Sequence, residues 1–132
     1  MGLITIDFRD RKLIYEQIID NVKELIVRGD LKRDDPMPSV RSLAKELGIN
    51  PNTIQKAYTE LENQGVIATM VGRGSFVILD REAMKENATG TLKSELFPLI
   101  LRAKTLGVTR EEFQQFTKEL WPEEAQNGGD NR

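Results

Sequence analysis

A short run of amide, hydroxyl and ammonium side chains in the middle of the chain could bind the edges of nucleic-acid bases. The run comprises Asn52, Thr53, Gln55 and Lys56, with Thr59 one helical turn further on. Asn and Gln can form two hydrogen bonds with adenine, Thr can contact thymine, and Lys suits a phosphate or a guanine. The alternative is an ordinary polar helix surface, which the same residue types also fit. The spacing of the neighbouring elements favours the contact with DNA.

Arg41 and two predicted helix starts could bind backbone phosphates. Ser39 and Asn50 each stand where an N-cap residue is expected, and helix N-termini attract anions. Arg41 lies near the start of the helix that follows Ser39, where its guanidinium could reach a phosphate. An exposed Arg is often only solvated, so its position alone leaves both interpretations open.

A glycine turn could enter the minor groove of DNA. Small glycines permit close approach, and Arg73 would meet the negative potential of the groove. The simpler interpretation is a turn with one exposed charge. With this turn included, the predicted DNA-binding residues are Ser39, Arg41, Asn50, Asn52, Thr53, Gln55, Lys56, Gly72, Arg73 and Gly74.

The composition excludes most enzyme chemistry. The sequence has no His and no Cys, which removes zinc sites, Cys–His nucleophile pairs, serine triads and a disulfide framework. Carboxylate chemistry and oxygen-ligand metals stay open on composition alone. However, acidic residues stand beside basic ones at helical spacing, as in Glu16, Asp20 and Lys23, which is typical of a solvated helix face. We therefore expect no enzyme and no cofactor or metal.

Length and charge set further bounds. A chain of 132 residues has room for one domain and a small appendage. No apolar run approaches the roughly 20 residues of a membrane span, and the N-terminus lacks the features of a secretory signal, so we expect a cytoplasmic protein without a membrane partner.

The net charge is −2, and residues 9–79 carry 11 Lys and Arg against 10 Asp and Glu. Total charge therefore gives almost no support for DNA binding, and the placement of individual residues must provide it.

Three predicted helices position these residues. Residues 13–28 carry apolar side chains at helical period, and Gly29 ends that helix. A second helix begins after Ser39 and stops at Gly48, and a third covers about 51–64. Two helices joined by a tight turn that contains Gly are the signature of a helix-turn-helix.

The apolar residues of the third helix predict which face is buried. They are Ile54, Ala57, Tyr58 and Leu61. The β-branched segment 66–79 then predicts a β-hairpin around its glycine turn. Three helices and a hairpin make a winged helix-turn-helix over residues 9–79, in a fold that is mainly α with a small β-hairpin.

The remainder of the chain predicts a short two-helix domain. Residues 80–91 are polar, and Thr89-Gly90-Thr91 suggests a linker, a helix break or an extension of the next helix. Apolar residues at helical spacing resume across 92–121, where Pro98 should kink the first helix or start it afresh. Residues 122–132 predict a flexible tail.

The apolar side chains of residues 92–121 are too many for two exposed helices to hide alone. Burial against a second copy solves this problem, and a two-fold homodimer fits a palindromic DNA site. The alternative is that they pack on the first helix of their own chain. We also expect two short helices to enclose no pocket of typical ligand size. No residue specifies a small-molecule effector, although a ligand could still bind at a dimer interface. The predicted dimerisation residues are Leu96, Leu99, Ile100, Phe113, Phe116 and Leu120.

Two runs carry a resemblance to a known family, PSVRSLAKELGINPNTIQKAYTELENQGVI and GRGSFV. They resemble the DNA-binding domain of the GntR family of bacterial transcription regulators over about residues 10–79. The short C-terminal region of about 50 residues and the run NPNTIQKAY look like the YtrA subfamily. Most GntR regulators have much larger effector-binding domains.

The resemblance implies a homodimer that binds a palindromic double-stranded DNA operator and commonly represses its own operon, often one that encodes an ABC transporter. This chain has Asn50-Pro51 where many members have Ser or Thr followed by Arg, so the base preference of those members does not carry over. The family motif places DNA contacts at Arg41, Asn52, Thr53, Gln55 and Gly72.

A function of another class is a winged-helix adaptor that binds a protein partner and has no DNA operator. The nearly neutral charge balance and the bulky apolar C-terminal region fit that alternative. The placement of the predicted DNA-binding residues favours a sequence-specific transcriptional regulator that acts as a repressor.

Overall fold

The computed structural model describes residues 3–123, which form five α-helices and one two-stranded antiparallel sheet. The described chain divides into two compact units, one up to Thr89 and one from Gly90 onward. Residues 124–132, most of the predicted tail at 122–132, lie outside the described range. The elements are α1 (Ile14–Arg28), α2 (Val40–Leu47), α3 (Pro51–Asn63), β1 (Ile67–Met70), β2 (Gly74–Val77), α4 (Arg81–Thr105) and α5 (Arg110–Leu120).

α1 buries one apolar face in the core of the first unit. It ends at Gly29, whose φ of 87° lies in the left-handed region that glycine adopts at little cost. The amides of Gly29 and Leu31 donate to the carbonyls of Ile26 and Leu25, which would otherwise lack partners at the helix end. The buried residues of α1 are Ile18, Ile19, Val22, Leu25 and Ile26.

α2 and α3 form the predicted helix-turn-helix around Gly48, which has a φ of 69°. α3 packs against α1, α2 and β1, so it lies at the centre of the first unit. Its buried residues are the four that the sequence predicts, Ile54, Ala57, Tyr58 and Leu61. The confirmed fold class is a mainly α winged helix-turn-helix with a small hairpin, followed by two helices.

A third extended segment, residues 34–37, lies along the free edge of β2. The amides of Asp34 and Met37 donate to the carbonyls of Val77 and Ser75 at 2.7 and 2.8 Å. This pairing satisfies backbone groups that an edge strand would otherwise expose. The hairpin is therefore anchored on the helical part of the unit at both β1 and β2.

The core of the first unit reaches beyond residues 9–79 at both ends. Ile4 and Met84 are both buried in the same apolar cluster as the helices. The N-terminal segment is held on α1 because the Thr5 amide donates to Asn21 Oδ1 at 2.9 Å, and the Asp7 amide donates to Gln17 Oε1 at 2.8 Å.

α4 runs through the positions where the sequence suggests a break. Gly90 continues the helix, since an interior glycine costs only about 1 kcal/mol relative to Ala. Pro98 also lies inside the helix and neither ends it nor restarts it. Proline removes one backbone hydrogen bond, and because residues 90–102 are exposed, water can bind the carbonyl that loses its partner. Of the alternatives predicted for residues 80–91, the structure therefore shows the extension of the next helix, and the break at 89–91 and the restart at Pro98 are wrong.

α5 begins with a capping box. The Thr109 hydroxyl accepts a hydrogen bond from the Glu112 amide at 3.1 Å, and Glu112 Oε1 accepts one from the Thr109 amide at 2.9 Å. Within residues 3–123, no helix is both long enough and apolar enough to cross a membrane.

Tyr58 links α3 to the segment that precedes α2. Its buried hydroxyl donates to the Pro38 carbonyl at 2.7 Å, and burial raises the pKa of this hydroxyl. Replacing Tyr58 with Phe keeps the ring and leaves the carbonyl unpaired, so we expect the free energy of unfolding to fall by about 1 kcal/mol. Urea denaturation monitored by circular dichroism measures this change. An unaltered midpoint and slope would show that the hydrogen bond contributes nothing.

Candidate DNA-binding interface

Side-chain caps fix the starts of α2 and α3. Ser39 Oγ accepts from the Ser42 amide at 3.0 Å, and Asn50 Oδ1 accepts from the Asn52 amide at 2.8 Å. Both predicted N-caps are confirmed. Because the caps use these oxygens, the hydroxyl hydrogen of Ser39 and the amide group of Asn50 are the donors that could bind a phosphate.

The outward face of α3 carries the predicted base-contacting residues. Asn52, Gln55 and Lys56 are exposed, whereas Thr53 is half-buried. Gln55 Nε2 donates to the hydroxyl of Thr59 at 3.2 Å, one helical turn further on. This contact restrains the Gln55 side chain along the helix surface and leaves its carbonyl oxygen available to accept from a base.

Tyr15 of α1 is a neighbour of this face that the sequence did not indicate. The ammonium of Lys56 lies 4.1 Å from the centre of the Tyr15 ring. The two residues are 41 positions apart, so only the packing of α1 on α3 reveals their contact. Both line a groove of about 420 Å³, whose remaining residues are Leu13, Ile14, Asn50, Asn52 and Thr53.

Arg41 is exposed in the first turn of α2. The salt bridges of the first unit join Arg9 to Asp7, Lys12 to Asp20, Arg28 to Asp30 and Arg33 to Asp80, and none of these pairs includes a predicted DNA-binding residue. Arg41, Lys56 and Arg73, the cations of the predicted interface, are exposed, so a phosphate could approach them.

The hairpin ends in a tight turn that projects Val71, Gly72 and Arg73. The last strand pair joins Met70 to Gly74, and the Arg73 amide donates to the Met70 carbonyl at 2.9 Å. Gly74 is thus the first residue of β2 and lies one position beyond the turn in which the sequence placed it. Gly72 has a φ of 79°, and a Cβ there would meet nothing within 4 Å, so the backbone conformation rather than lack of space favours glycine.

The base of this turn is held in place by side chains of both strands. The hydroxyls of Thr69 and Ser75 share a hydrogen bond of 2.9 Å across the ladder. Val71 at the tip is fully exposed, and no pattern in the sequence singled it out. The turn therefore presents one apolar and one cationic side chain, Val71 and Arg73, on either side of Gly72.

The second unit presents most of the predicted dimerisation residues on its surface. Phe113 is half-buried, and its ring lies 4.8 Å from that of Phe116, at 52° to it. Phe97 and Leu101 are two further exposed apolar residues, on another side of α4, which the predicted set omits. The exposed members of the predicted set are Leu96, Leu99, Ile100, Phe116 and Leu120.

An open groove of about 600 Å³ lies within the second unit, between α4 and α5. Its volume falls in the range of typical ligand pockets, so the expectation that two short helices form no pocket of that size is wrong. The apolar residues of this groove include Leu96, Ile100 and Phe113 of the predicted set. Within residues 3–123, no group of three or more acidic side chains is placed to hold a metal ion.

A helix-turn-helix with an anchored hairpin wing and a polar outward face on its second helix defines a winged-helix DNA-binding protein. The family described as bacterial regulatory proteins, gntR family, matches residues 14–77, and the chain belongs to the GntR family. It is 41% identical over 119 residues to the HTH-type transcriptional repressor YtrA of Bacillus subtilis (strain 168), covering 89% of this chain and 92% of that relative.

Two solved structures have the same architecture. A GntR family transcriptional regulator from Listeria monocytogenes matches with a TM-score of 0.66 and 33% identity, covering 88% of this chain and 100% of that one. YtrA from Sulfolobus acidocaldarius, a GntR-family transcription factor, matches with a TM-score of 0.56 and 36% identity, covering 70% and 99%. The chain is therefore a DNA-binding transcriptional regulator and not an enzyme, which confirms both predictions and the YtrA-like resemblance.

Proposed function

We propose that the protein is a homodimeric repressor that binds a palindromic operator in the cytoplasm through α3 and the hairpin wing. The observation that carries this proposal is the polar outward face of α3, which is capped at Asn50 and follows the Gly48 turn. In a helix-turn-helix the second helix occupies the major groove, and its first turns contact the base edges. The name of the Bacillus subtilis relative, a transcriptional repressor, supports the direction of regulation.

Base preference is assigned to three side chains of α3. Asn52 and Gln55 can each form two hydrogen bonds with adenine, and Thr53 can contact a thymine methyl. Gln55 already donates one N–H to Thr59, so its remaining N–H and its oxygen are the groups that match the adenine edge. Lys56 is assigned to a phosphate or a guanine.

Phosphate contacts are assigned to the starts of the two helices and to the wing. Arg41 is exposed beside the α2 N-terminus, and the caps at Ser39 and Asn50 orient both helix ends. Gly72, Arg73 and Gly74 are assigned to the minor groove, where a cation meets enhanced negative potential. The base of the turn is held by hydrogen bonds between its two strands, so the backbone at Arg73 would already be in position when DNA binds.

Dimerisation is assigned to the second unit. Apolar side chains occupy more than one side of α4, and a helix that is apolar on several sides is normally buried. Phe97 and Leu101 join the predicted set of Leu96, Leu99, Ile100, Phe113, Phe116 and Leu120. A two-fold dimer buries the same patch from both copies and presents two copies of α3 to two half-sites.

Selection of bound sequences from random duplex DNA tests this proposal. We expect the full-length protein to enrich an inverted repeat whose half-site centres are separated by about one helical turn or a multiple of it. Enrichment of a single half-site would contradict the dimeric mode of binding. No enrichment after several rounds would contradict sequence-specific binding.

A further inference from the structure

The contact between Tyr15 and Lys56 joins the first helix of the winged domain to the outward face of α3. The Lys56 ammonium lies over the Tyr15 ring, 4.1 Å from its centre. Tyr15 is half-buried and packs against the apolar core, whereas Lys56 is exposed. Tyr15, which the core fixes, therefore restrains the side chain of Lys56, which would otherwise move freely in solvent.

We propose that Tyr15 is a positioning residue that orders Lys56 for its contact with DNA, an inference that rests on the proposed function of α3. The Lys side chain has four rotatable bonds, and fixing it on binding costs conformational entropy. A ring that restrains the ammonium before DNA arrives removes part of that cost. The gain appears as tighter binding without any direct contact between Tyr15 and a base.

An aromatic ring suits this role better than a carboxylate does. Glu16 and Glu60 line the groove that adjoins the Tyr15–Lys56 contact, and either carboxylate would offset the positive charge of Lys56 if it were the partner. The ring attracts the cation through its quadrupole and carries no net charge. The ring therefore restrains Lys56 without adding a negative charge that would compete with a phosphate.

The groove places this restrained ammonium beside the other predicted DNA-binding groups. Tyr15 and Lys56 share it with Asn50, Asn52 and Thr53, all in the first two turns of α3 or at its cap. Helix N-termini attract phosphates, so an ammonium held here adds to a site that already favours an anion. Tyr15 thus acts on the part of α3 where the backbone of DNA is expected to pass.

A double-mutant cycle on the full-length protein tests the proposal. Affinity for a selected operator duplex is measured by fluorescence anisotropy for the unsubstituted protein, Tyr15→Leu, Lys56→Met and the double variant. We expect Tyr15→Leu to weaken binding about two- to fivefold, the equivalent of an exposed cation–π contact. In the Lys56→Met background the same substitution should have no effect. Circular dichroism melts establish that each variant is folded.

Two further measurements separate positioning from other roles of the ring. Tyr15→Phe keeps the aromatic face and should bind as the unsubstituted protein does. Lys56→Met should lower the slope of log affinity against log salt concentration by about 1, whereas Tyr15→Leu should leave that slope unchanged because the phosphate contact itself persists.

Three outcomes would overturn the inference. Equal losses for Tyr15→Leu with and without Lys56 would mean that the ring acts through general packing. A loss for Tyr15→Phe as large as that for Tyr15→Leu would assign the effect to the hydroxyl. No loss for Tyr15→Leu would remove the role altogether. If the unsubstituted protein binds no DNA, the proposed function fails, whereas binding without coupling contradicts only the role of Tyr15.

Discussion

Replacing Leu99 with Glu is expected to convert the protein to a monomer and to weaken its binding to a palindromic operator about 100-fold. Leu99 is exposed in the single chain, on the apolar side of α4 that we assign to the dimer interface. A carboxylate buried there without a partner would cost several kcal/mol. A monomer binds one half-site at a time and loses the gain from two linked contacts, which commonly amounts to 10²–10⁴.

Sedimentation velocity and fluorescence anisotropy together measure this effect. Thr91→Glu is the control, because it introduces the same side chain at an exposed position of α4 two turns before Leu99. We expect Thr91→Glu to remain dimeric and Leu99→Glu to keep the affinity of the unsubstituted protein for an isolated half-site. A Leu99→Glu variant that still sediments as a dimer would contradict the assigned interface.

Arg41→Ala and Gln55→Ala are expected to weaken DNA binding in two different ways. Arg41→Ala removes the side chain to which we assign a phosphate contact, so affinity should fall by a similar factor on operator and random DNA, and the salt slope should decrease by about 1. Gln55→Ala removes the side chain to which we assign a base contact. Such a contact is worth about 1–3 kcal/mol of discrimination, so operator affinity should fall about 5- to 150-fold while random DNA is bound as before.

Competition binding with operator and random duplexes at several salt concentrations separates the two effects. Lys45→Ala is the control for Arg41, since Lys45 is exposed on the same helix one turn further from its N-terminus. Gln64→Ala is the control for Gln55, since Gln64 caps the opposite end of α3. Equal losses on both duplexes for Gln55→Ala would contradict its assigned role in base recognition.

Features set by local chemistry could be predicted from the sequence. Ser39 and Asn50 are caps because a side-chain oxygen two or three residues before an amide can bond it in any context. Gly29 and Gly48 end helices because the left-handed conformation is cheap only for glycine. The buried face of α3 followed from its apolar period alone.

Features set by contacts between distant residues could not be predicted in the same way. Residues 34–37 contain two acidic residues and a proline, which indicates a loop, yet the neighbouring strand turns this segment into an edge pairing. Ile4 is buried in the same apolar cluster as the helices, and its segment is held on α1 by the hydrogen bond from the Thr5 amide to Asn21, 16 residues away. Tyr15 joins the candidate interface only because α1 packs on α3.

The helix breaks expected in α4 show the limit of local rules in another way. Gly90 and Pro98 are both unfavourable inside a helix, but each destabilises the helix only at its own position. A 25-residue helix contains enough other backbone hydrogen bonds to offset these costs. Residue type alone therefore overestimated the effect of Gly90 and Pro98 on the helix.

We expect the winged domain to bind DNA through cations placed on an otherwise nearly neutral surface. A titration of a random 30-base-pair duplex with the full-length protein, repeated from low to physiological salt, tests it most directly. We expect binding at low salt, with log affinity falling linearly against log salt concentration by about 0.9 for each phosphate contacted. Absence of binding at low salt, or an affinity independent of salt, would contradict the assignment of Arg41, Lys56 and Arg73 to contacts with DNA.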